Sequence, residues 1–156
     1  MRRFRLIRPT TLRGLAGLGA LTAVIALAAP APRASTPAGY RVIVNASNPA
    51  SAADRRFLAD IFLKKVTRWS TGDATKPVDQ GPDAAVRQRF SDDVLGRSVS
   101  AVKSYWAQLV FSGRDLPPPE LDDDDEVVRF VAKHVGGVGY VSAAAAVDRV
   151  KVLNIR

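Results

Sequence analysis

Short runs of β-branched residues alternate with helical patterns from Tyr40 onwards, and this alternation is the feature that most restricts the fold. Residues 41–45 (RVIVN) are bounded by Asn, Ser and Pro, which is typical of a buried strand. Apolar side chains between Phe57 and Phe62 then recur at the spacing of one helix face. The alternation predicts an α/β domain with a small mixed or mostly parallel sheet flanked by helices.

Capping residues set the expected helix boundaries. Ser51 is the predicted N-cap of the first helix, because an acidic residue follows it three positions later. Residues 76–80 are a weaker strand candidate. Pro82 is expected in the first turn of the second helix, where its missing N–H costs nothing, and Gly96 is expected to end that helix. Ser98 is the predicted cap of a third helix.

An acidic run at residues 122–126 precedes the last predicted helix. Anionic side chains at a helix start interact favourably with the helix dipole, so a helix start is the preferred interpretation. A calcium site is the alternative, but the ligand spacing and turn glycine of a calcium loop are missing. Residues 138–141 and 150–153 are predicted strands, and residues 143–146 are predicted to form a short helical turn.

Residues 1–31 have the pattern of a secretory signal peptide. Arginines precede an uncharged stretch from Gly14 to Ala29, and Ala29-Pro30-Ala31 supplies small residues for cleavage. This pattern predicts a periplasmic or secreted protein, with the Sec and twin-arginine export routes both open. A membrane anchor formed by residues 14–29 is the alternative, although a span needs about 20 apolar residues. Residues 32–39 are predicted to be a flexible leader, and residues 40–156 the folded domain.

The basic character of the chain is concentrated in this first segment. The formal net charge is +8, but five of the 23 Lys and Arg residues precede residue 32, where there is no acidic residue. The remaining 18 basic residues face 15 acidic ones. The charge therefore gives little support to nucleic-acid binding, and none is predicted.

Few residues in this chain could carry catalysis or hold a metal. The absence of cysteine excludes disulfides, thiolate metal sites and a Cys nucleophile, and His134 is the single histidine. No nucleophile-elbow sequence and no phosphate-cradling glycine loop are present. His134 is expected to lie at a helix end, where its charge suits the dipole. The sequence therefore predicts a non-catalytic protein with no cofactor and no metal.

Three separated motifs resemble one protein family. They are Asn45 after a strand, LADIFLKKVTRW at residues 58–69, and GGVGYVS at residues 136–142. In this order they resemble the phosphate-type periplasmic substrate-binding proteins of ABC transporters. The resemblance implies one lobe of a type II periplasmic binding protein, with IFLKKVTRW as a packed helix end and Trp69 in the core.

The chain also departs from that family. The family normally has two lobes with the ligand clamped between them, and this chain resembles only one. The family's phosphate loop reads roughly Arg-x-x-x-Ser-Gly-Thr, whereas residues 79–84 are DQGPDA. The arginine and both hydroxyls are missing, and Asp79 and Asp83 are expected to repel an anion.

Two functions follow from this resemblance. The first is an exported binding protein that holds a small anion such as phosphate weakly or with a partner. The second is an exported interaction module that has lost ligand binding. The expected partner of this module is an envelope transporter or sensor protein. A homodimer, in which two copies of the chain rebuild a two-lobed cleft, is a separate expectation. The candidate ligand-binding residues are polar and lie in predicted loops or helix starts: Ser47, Asn48, Arg87, Ser112, Gly113, Arg114 and Ser142.

Overall fold

A computed structural model describes residues 39–156 of the chain. The predicted signal peptide, its alternative as an anchor, and all but the last residue of the predicted leader lie outside these residues. Within residues 39–156, no helix is long and apolar enough to cross a bilayer. The elements in chain order are β1 Tyr40–Asn45, β2 Ala52–Ala53, α1 Arg55–Phe62, β3 Lys76–Pro77, β4 Asp79–Gln80, α2 Ala85–Phe90, α3 Val99–Phe111, β5 Glu120–Leu121, α4 Asp124–Lys133, β6 Gly137–Ser142 and β7 Val150–Ile155.

The main sheet has five strands in the order β2-β7-β1-β6-β3. The strand β1 lies between β6 and β7 and is antiparallel to both. The short outer strands β2 and β3 pair in parallel with β7 and β6. A separate pair is formed by β4 and β5, which are parallel. The predicted α/β class is confirmed, and of the two expected sheet types the mixed one is observed.

Helices cover both faces of β1. Val42 and Val44 are buried in a cluster that includes Leu58 of α1. Ile43 points the other way and is buried in a second cluster with Val131 of α4. Because successive side chains of a strand point to opposite faces, an almost continuous apolar strand such as β1 needs a helical layer on each side.

The first two helices begin later than predicted. Ser51 is not an N-cap, because the chain first forms β2 and α1 begins at Arg55, after Asp54. Pro82 is not in a helix, because a hydrogen-bonded turn separates it from the start of α2 at Ala85. At Ser51, the pairing of β2 with β7 outweighs the local capping pattern. That pairing depends on a strand about 100 residues away, which a local pattern cannot report.

Other predicted boundaries are confirmed. The second helix continues through a π-helical turn and ends at Gly96, which has a positive φ of 61°. Ser98 caps α3 and accepts a hydrogen bond of 3.2 Å from the backbone N–H of Ala101. The acidic run begins α4, with Asp123 as its N-cap.

The segment IFLKKVTRW forms the end of α1 and the loop that follows it. Lys64 has a positive φ of 54°, a backbone conformation that favours glycine. Its ammonium lies 3.1 Å from the carboxylate of Asp115, which ties this loop to the segment after α3. Trp69 is 5% exposed, and its indole N–H donates to the carbonyl of Gly136 at 3.1 Å. The prediction that Trp69 belongs to the core is confirmed.

Candidate functional site

Polar side chains converge where β4, β5 and β6 end and α4 begins. Members of this group are hydrogen bonded or ion paired to one another, and most are shielded from water. We call the group the strand-end cluster. Its residues are Asp79, Gln80, Arg87, Glu120, Asp124, Tyr140 and Ser142.

Arg87 lies at the centre of the strand-end cluster and is 3% exposed. Its Nη1 atom is 3.0 Å from a carboxylate oxygen of Asp79 and 3.1 Å from one of Glu120. The same atom donates to the backbone carbonyl of Gln80. A buried guanidinium needs such partners because its desolvation is costly. The positive charge of Arg87 is therefore compensated within the protein.

Asp79 is held by three donors from different elements. Besides Arg87, the Tyr140 hydroxyl and the Gln80 backbone N–H donate to it, the latter at 3.0 Å. Burial raises the pKa of Asp79, while the charge of Arg87 and the hydrogen bond from Tyr140 oppose that rise. Burial also raises the pKa of Tyr140 above its ordinary value, and the negative charge of Asp79 adds to the effect. Asp79 is thus a structural partner of Arg87 and Tyr140.

The other side of the cluster joins β6 to the start of α4. The side-chain amide of Gln80 donates to Asp124 at 2.8 Å and to the carbonyl of Tyr140 at 3.0 Å. Asp124 also accepts from the backbone N–H of Ser142 at 3.0 Å and from its hydroxyl. Carboxylates near a helix N-terminus interact favourably with its dipole. The hydroxyl of Ser142 is therefore already engaged.

The charge balance of the cluster disfavours the binding of an anionic ligand. Asp79, Glu120 and Asp124 bring three carboxylates, and Arg87 is the only cation among the residues of the cluster. This surplus of negative charge weakens the attraction that Arg87 can exert on an additional anion.

Two predicted ligand residues lie at the other end of β1. Ser47 is exposed and Asn48 is 5% exposed, in the loop that follows β1. The Asn48 side chain accepts from the N–H of Ala50 at 2.9 Å. Tyr40 pairs with Ser142 at the opposite end of the strand, so this loop and Ser142 are separated by about five residue steps, or roughly 17 Å.

Three further predicted residues lie at the end of α3. Ser112 is the C-cap and donates to the carbonyl of Leu109 at 3.0 Å. Gly113 and Arg114 are exposed and border an open cavity of about 320 Å³ together with Lys64. Only Arg87 and Ser142 of the seven predicted ligand residues are therefore joined in one hydrogen-bonded group.

Sequence reasoning did not assign Gln80, Glu120, Asp124 and Tyr140 to a site. Asp79 was recognised only as a charge that would repel an anion. These residues are far apart in the sequence. Gln80 and Asp124 are separated by 44 positions, and Asp79 and Tyr140 by 61. The only sequence signal was the placement of charged and polar residues directly after predicted strands, and that signal does not name their partners.

The raised pKa of Tyr140 predicts a loss of stability at alkaline pH. In the unfolded chain this tyrosine loses its proton near its ordinary pKa of 10.0, whereas in the folded protein it stays protonated. Above pH 10 the free energy of unfolding should therefore fall as the pH rises, by up to about 1.4 kcal/mol per pH unit from this group. Urea denaturation between about pH 9 and pH 11 measures the slope.

Tyr140→Phe should flatten that slope, although it also removes the hydrogen bond to Asp79 and lowers stability at neutral pH. Burial, together with a hydrogen bond to Asp93, raises the pKa of Tyr40 to about 12, so the parent protein has a second alkaline contribution. Tyr40→Phe is the matched variant that removes this second contribution. Equal slopes in the parent and Tyr140→Phe would contradict the prediction.

Known structures share this fold. The chain is similar to an ABC-type phosphate transport receptor from Vibrio cholerae, with a TM-score of 0.59 and 17% identity over 75% of this chain and 46% of the receptor. It is similar to a substrate-binding protein assigned to phosphate ABC transport in Clostridium perfringens and solved with bound phosphate, with a TM-score of 0.60 and 16% identity over 75% and 44% of the two chains. It is also similar to PstS from Borrelia burgdorferi, with a TM-score of 0.59 and 9% identity over 76% and 47%.

The likeness defines the fold of the domain. The resemblance seen in the sequence motifs is thereby confirmed at the level of fold, and the domain has the architecture of part of a phosphate transport receptor. The chain spans less than half the length of these neighbours. No known family model matches the sequence, and no curated protein matches it.

Proposed function

We propose that this protein is an exported, non-catalytic binding protein that holds a small anion such as phosphate only weakly by itself. A partner supplies the further groups that tight binding needs. The partner is an envelope transporter or sensor protein, or a second copy of the chain. Export to the periplasm or beyond follows from the signal-peptide pattern of residues 1–31.

This proposal rests on the pairing of Arg87 with two carboxylates. Among residues 39–156 it is the only buried cation, and its recorded contacts go to Asp79, Glu120 and a backbone carbonyl. Tight anion binding needs donors whose charge is not already neutralised. The fold shared with phosphate receptors supports a binding role, and the occupied arginine supports a weak one.

An interaction module without a small ligand is the second candidate. Three apolar side chains near the end of α3 face solvent: Val110 is 47% exposed, Phe111 96% and Leu116 65%. Val110 and Leu116 border the same cavity, so they lie close together. Exposed apolar groups that cluster are typical of protein interaction sites. This surface favours a protein partner.

A thermal-shift titration with phosphate tests both candidates. A dissociation constant near 1 mM gives about 0.4 kcal/mol of stabilisation at 1 mM phosphate, which raises the melting temperature by roughly 2 °C. Sodium chloride at equal ionic strength is the control for general salt effects. Saturation at micromolar phosphate would contradict weak binding, and no rise at about 10 mM would favour the interaction module.

Arg114→Ala is the variant that tests the predicted residues at the end of α3. Arg114 is exposed, so its loss should leave the unfolding free energy within about 0.5 kcal/mol of the parent. Arg89→Ala removes another exposed arginine, from α2, and is the matched control. A phosphate response that both variants keep would exclude Arg114 as a ligand.

A further inference from the structure

A cavity of about 340 Å³ lies beside Arg87, where the segment before α2, one side of α3 and the segment leading into β5 meet. Sites for small organic molecules are typically concave and mainly apolar, with a few charged or polar groups that orient the ligand. An inorganic ion would leave apolar walls in contact with water. The apolar residues of the walls include Pro82, Val99, Trp106, Val110 and Pro117.

Arg87 lines this cavity, and not all of its donor atoms are engaged. Each ion pair and hydrogen bond recorded for its side chain uses Nη1. Its Nε atom is buried and has no hydrogen-bond partner. The Nε and Nη2 atoms of a guanidinium form a planar pair of donors that matches the two oxygens of a carboxylate. In Arg87 the Nε atom has almost no exposed surface, so Nη2 is the donor that an acceptor entering the cavity can reach.

The cavity lining contains a second basic residue besides Arg87. Lys103 is exposed, lines the cavity from α3, and takes part in none of the ion pairs found in residues 39–156. Glu120 is the acidic residue in the lining, and its half-exposed side chain contacts Nη1 of Arg87. The lining therefore has two cations and one anion.

We propose that this cavity binds a small organic carboxylate with one aromatic ring or a branched apolar chain. The carboxylate accepts a hydrogen bond from Nη2 of Arg87 and pairs with Lys103. The apolar part packs against Trp106 and its neighbours in α3. This goes beyond the proposed function, because the ligand is organic and its apolar part supplies much of the contact, which inorganic phosphate cannot do.

Calorimetric titration of the purified protein with 3-phenylpropionate tests the proposal. We expect saturable binding by the carboxylate. 3-Phenylpropionamide has the same shape without the charge and should bind at least about tenfold more weakly, because charge-assisted hydrogen bonds are the stronger ones. Acetate keeps the charge without the ring and should also bind at least about tenfold more weakly, because it buries little apolar surface.

Three substitutions in α3 test the location. Ala107 lines the cavity and is exposed, so Ala107→Trp should fill the space and weaken binding at least about tenfold. Ala101→Trp places the same side chain at an exposed position of the same helix that does not line the cavity, and should leave binding unchanged. Lys103→Gln should weaken binding about threefold to fivefold, the scale of an exposed ion pair.

Three results would overturn the proposal. They are no heat with 3-phenylpropionate at about 10 mM, equal affinity for the acid and its amide, or unchanged affinity in a folded Ala107→Trp variant. Circular dichroism melting of each variant shows whether it is folded. The phosphate titration has its own outcome, so failure of one proposal leaves the other in place.

Discussion

Gly136→Ala should destabilise the protein by more than about 3 kcal/mol, at or above the upper end of the range for overpacked positions. A Cβ atom at this position would lie 1.8 Å from the carbonyl oxygen of Ala74, which belongs to the backbone and cannot turn aside. The Gly136 carbonyl accepts from Lys76 and from the Trp69 indole. Moving Gly136 away from Ala74 would therefore break the hydrogen bond that begins the pairing of β3 with β6, and would also break the hydrogen bond of the buried Trp69.

Urea denaturation followed by tryptophan fluorescence measures this loss. Gly81→Ala is the control, because a Cβ atom there would meet nothing within 4 Å and the residue has no positive φ. Replacing glycine where alanine fits restricts the unfolded chain, so this variant should be as stable as the parent or up to about 1 kcal/mol more stable. If Gly136→Ala lowered the free energy of unfolding by less than about 1 kcal/mol, the close approach of the Ala74 backbone to Gly136 would be contradicted.

Arg87→Met should lower the free energy of unfolding by about 3–5 kcal/mol, because it leaves a buried carboxylate without its cationic partner. Asp79 would keep only the hydrogen bonds from Tyr140 and the Gln80 backbone N–H. Glu120 would lose the same partner, but its half-exposed side chain can turn to water. Most of the loss should therefore come from Asp79.

Adding Asp79→Asn to Arg87→Met should recover at least about 1 kcal/mol, since the uncompensated charge disappears. The Arg87→Met loss should also shrink at low pH. Burial holds the pKa of Asp79 above its ordinary 3.8, so the folded protein binds the proton more tightly than the unfolded chain. Between the pKa of Asp79 in the unfolded chain and its higher pKa in the folded protein, the free energy of unfolding falls as the pH rises. Removing the arginine raises the folded-state pKa further, so this pH range extends upward.

Arg89→Met is the matched control, because Arg89 is exposed on the same helix. Its unfolding free energy should stay within about 0.5 kcal/mol of the parent. Denaturation at about pH 5 and pH 8 compares the four proteins. Equal losses in Arg87→Met and Arg89→Met would mean that the buried ion pair contributes nothing to stability.

Elements with strong local signals were predictable from the sequence. The run at residues 41–45 became β1, the acidic start of α4 was recognised, and the strand after Gly136 was found. Each has an apolar spacing or a cap that acts within a few residues. These patterns, together with the family motifs, were sufficient for the α/β class and for the resemblance that the known structures confirm.

The arrangement of polar groups was decided by the tertiary structure. Residues 76–80 looked like one strand, but they form β3 and β4, which pair with β6 and β5 in different sheets. This division places Asp79 beside Arg87 and Tyr140, so that an expected repulsive charge becomes half of a buried ion pair. Ser47 and Ser142 were grouped in sequence reasoning, yet the antiparallel register puts them at opposite ends of β1.

The sequence by itself determined the long strands β1, β6 and β7, the approximate places of the helices and their apolar faces, because those properties depend on neighbouring residues. Only the tertiary structure decided that Arg87 is neutralised by Asp79 and Glu120 and lines an apolar cavity. Charge compensation depends on distances of about 3 Å between residues far apart in the chain. Those distances are set by the pairing and packing of whole elements, which no local pattern specifies.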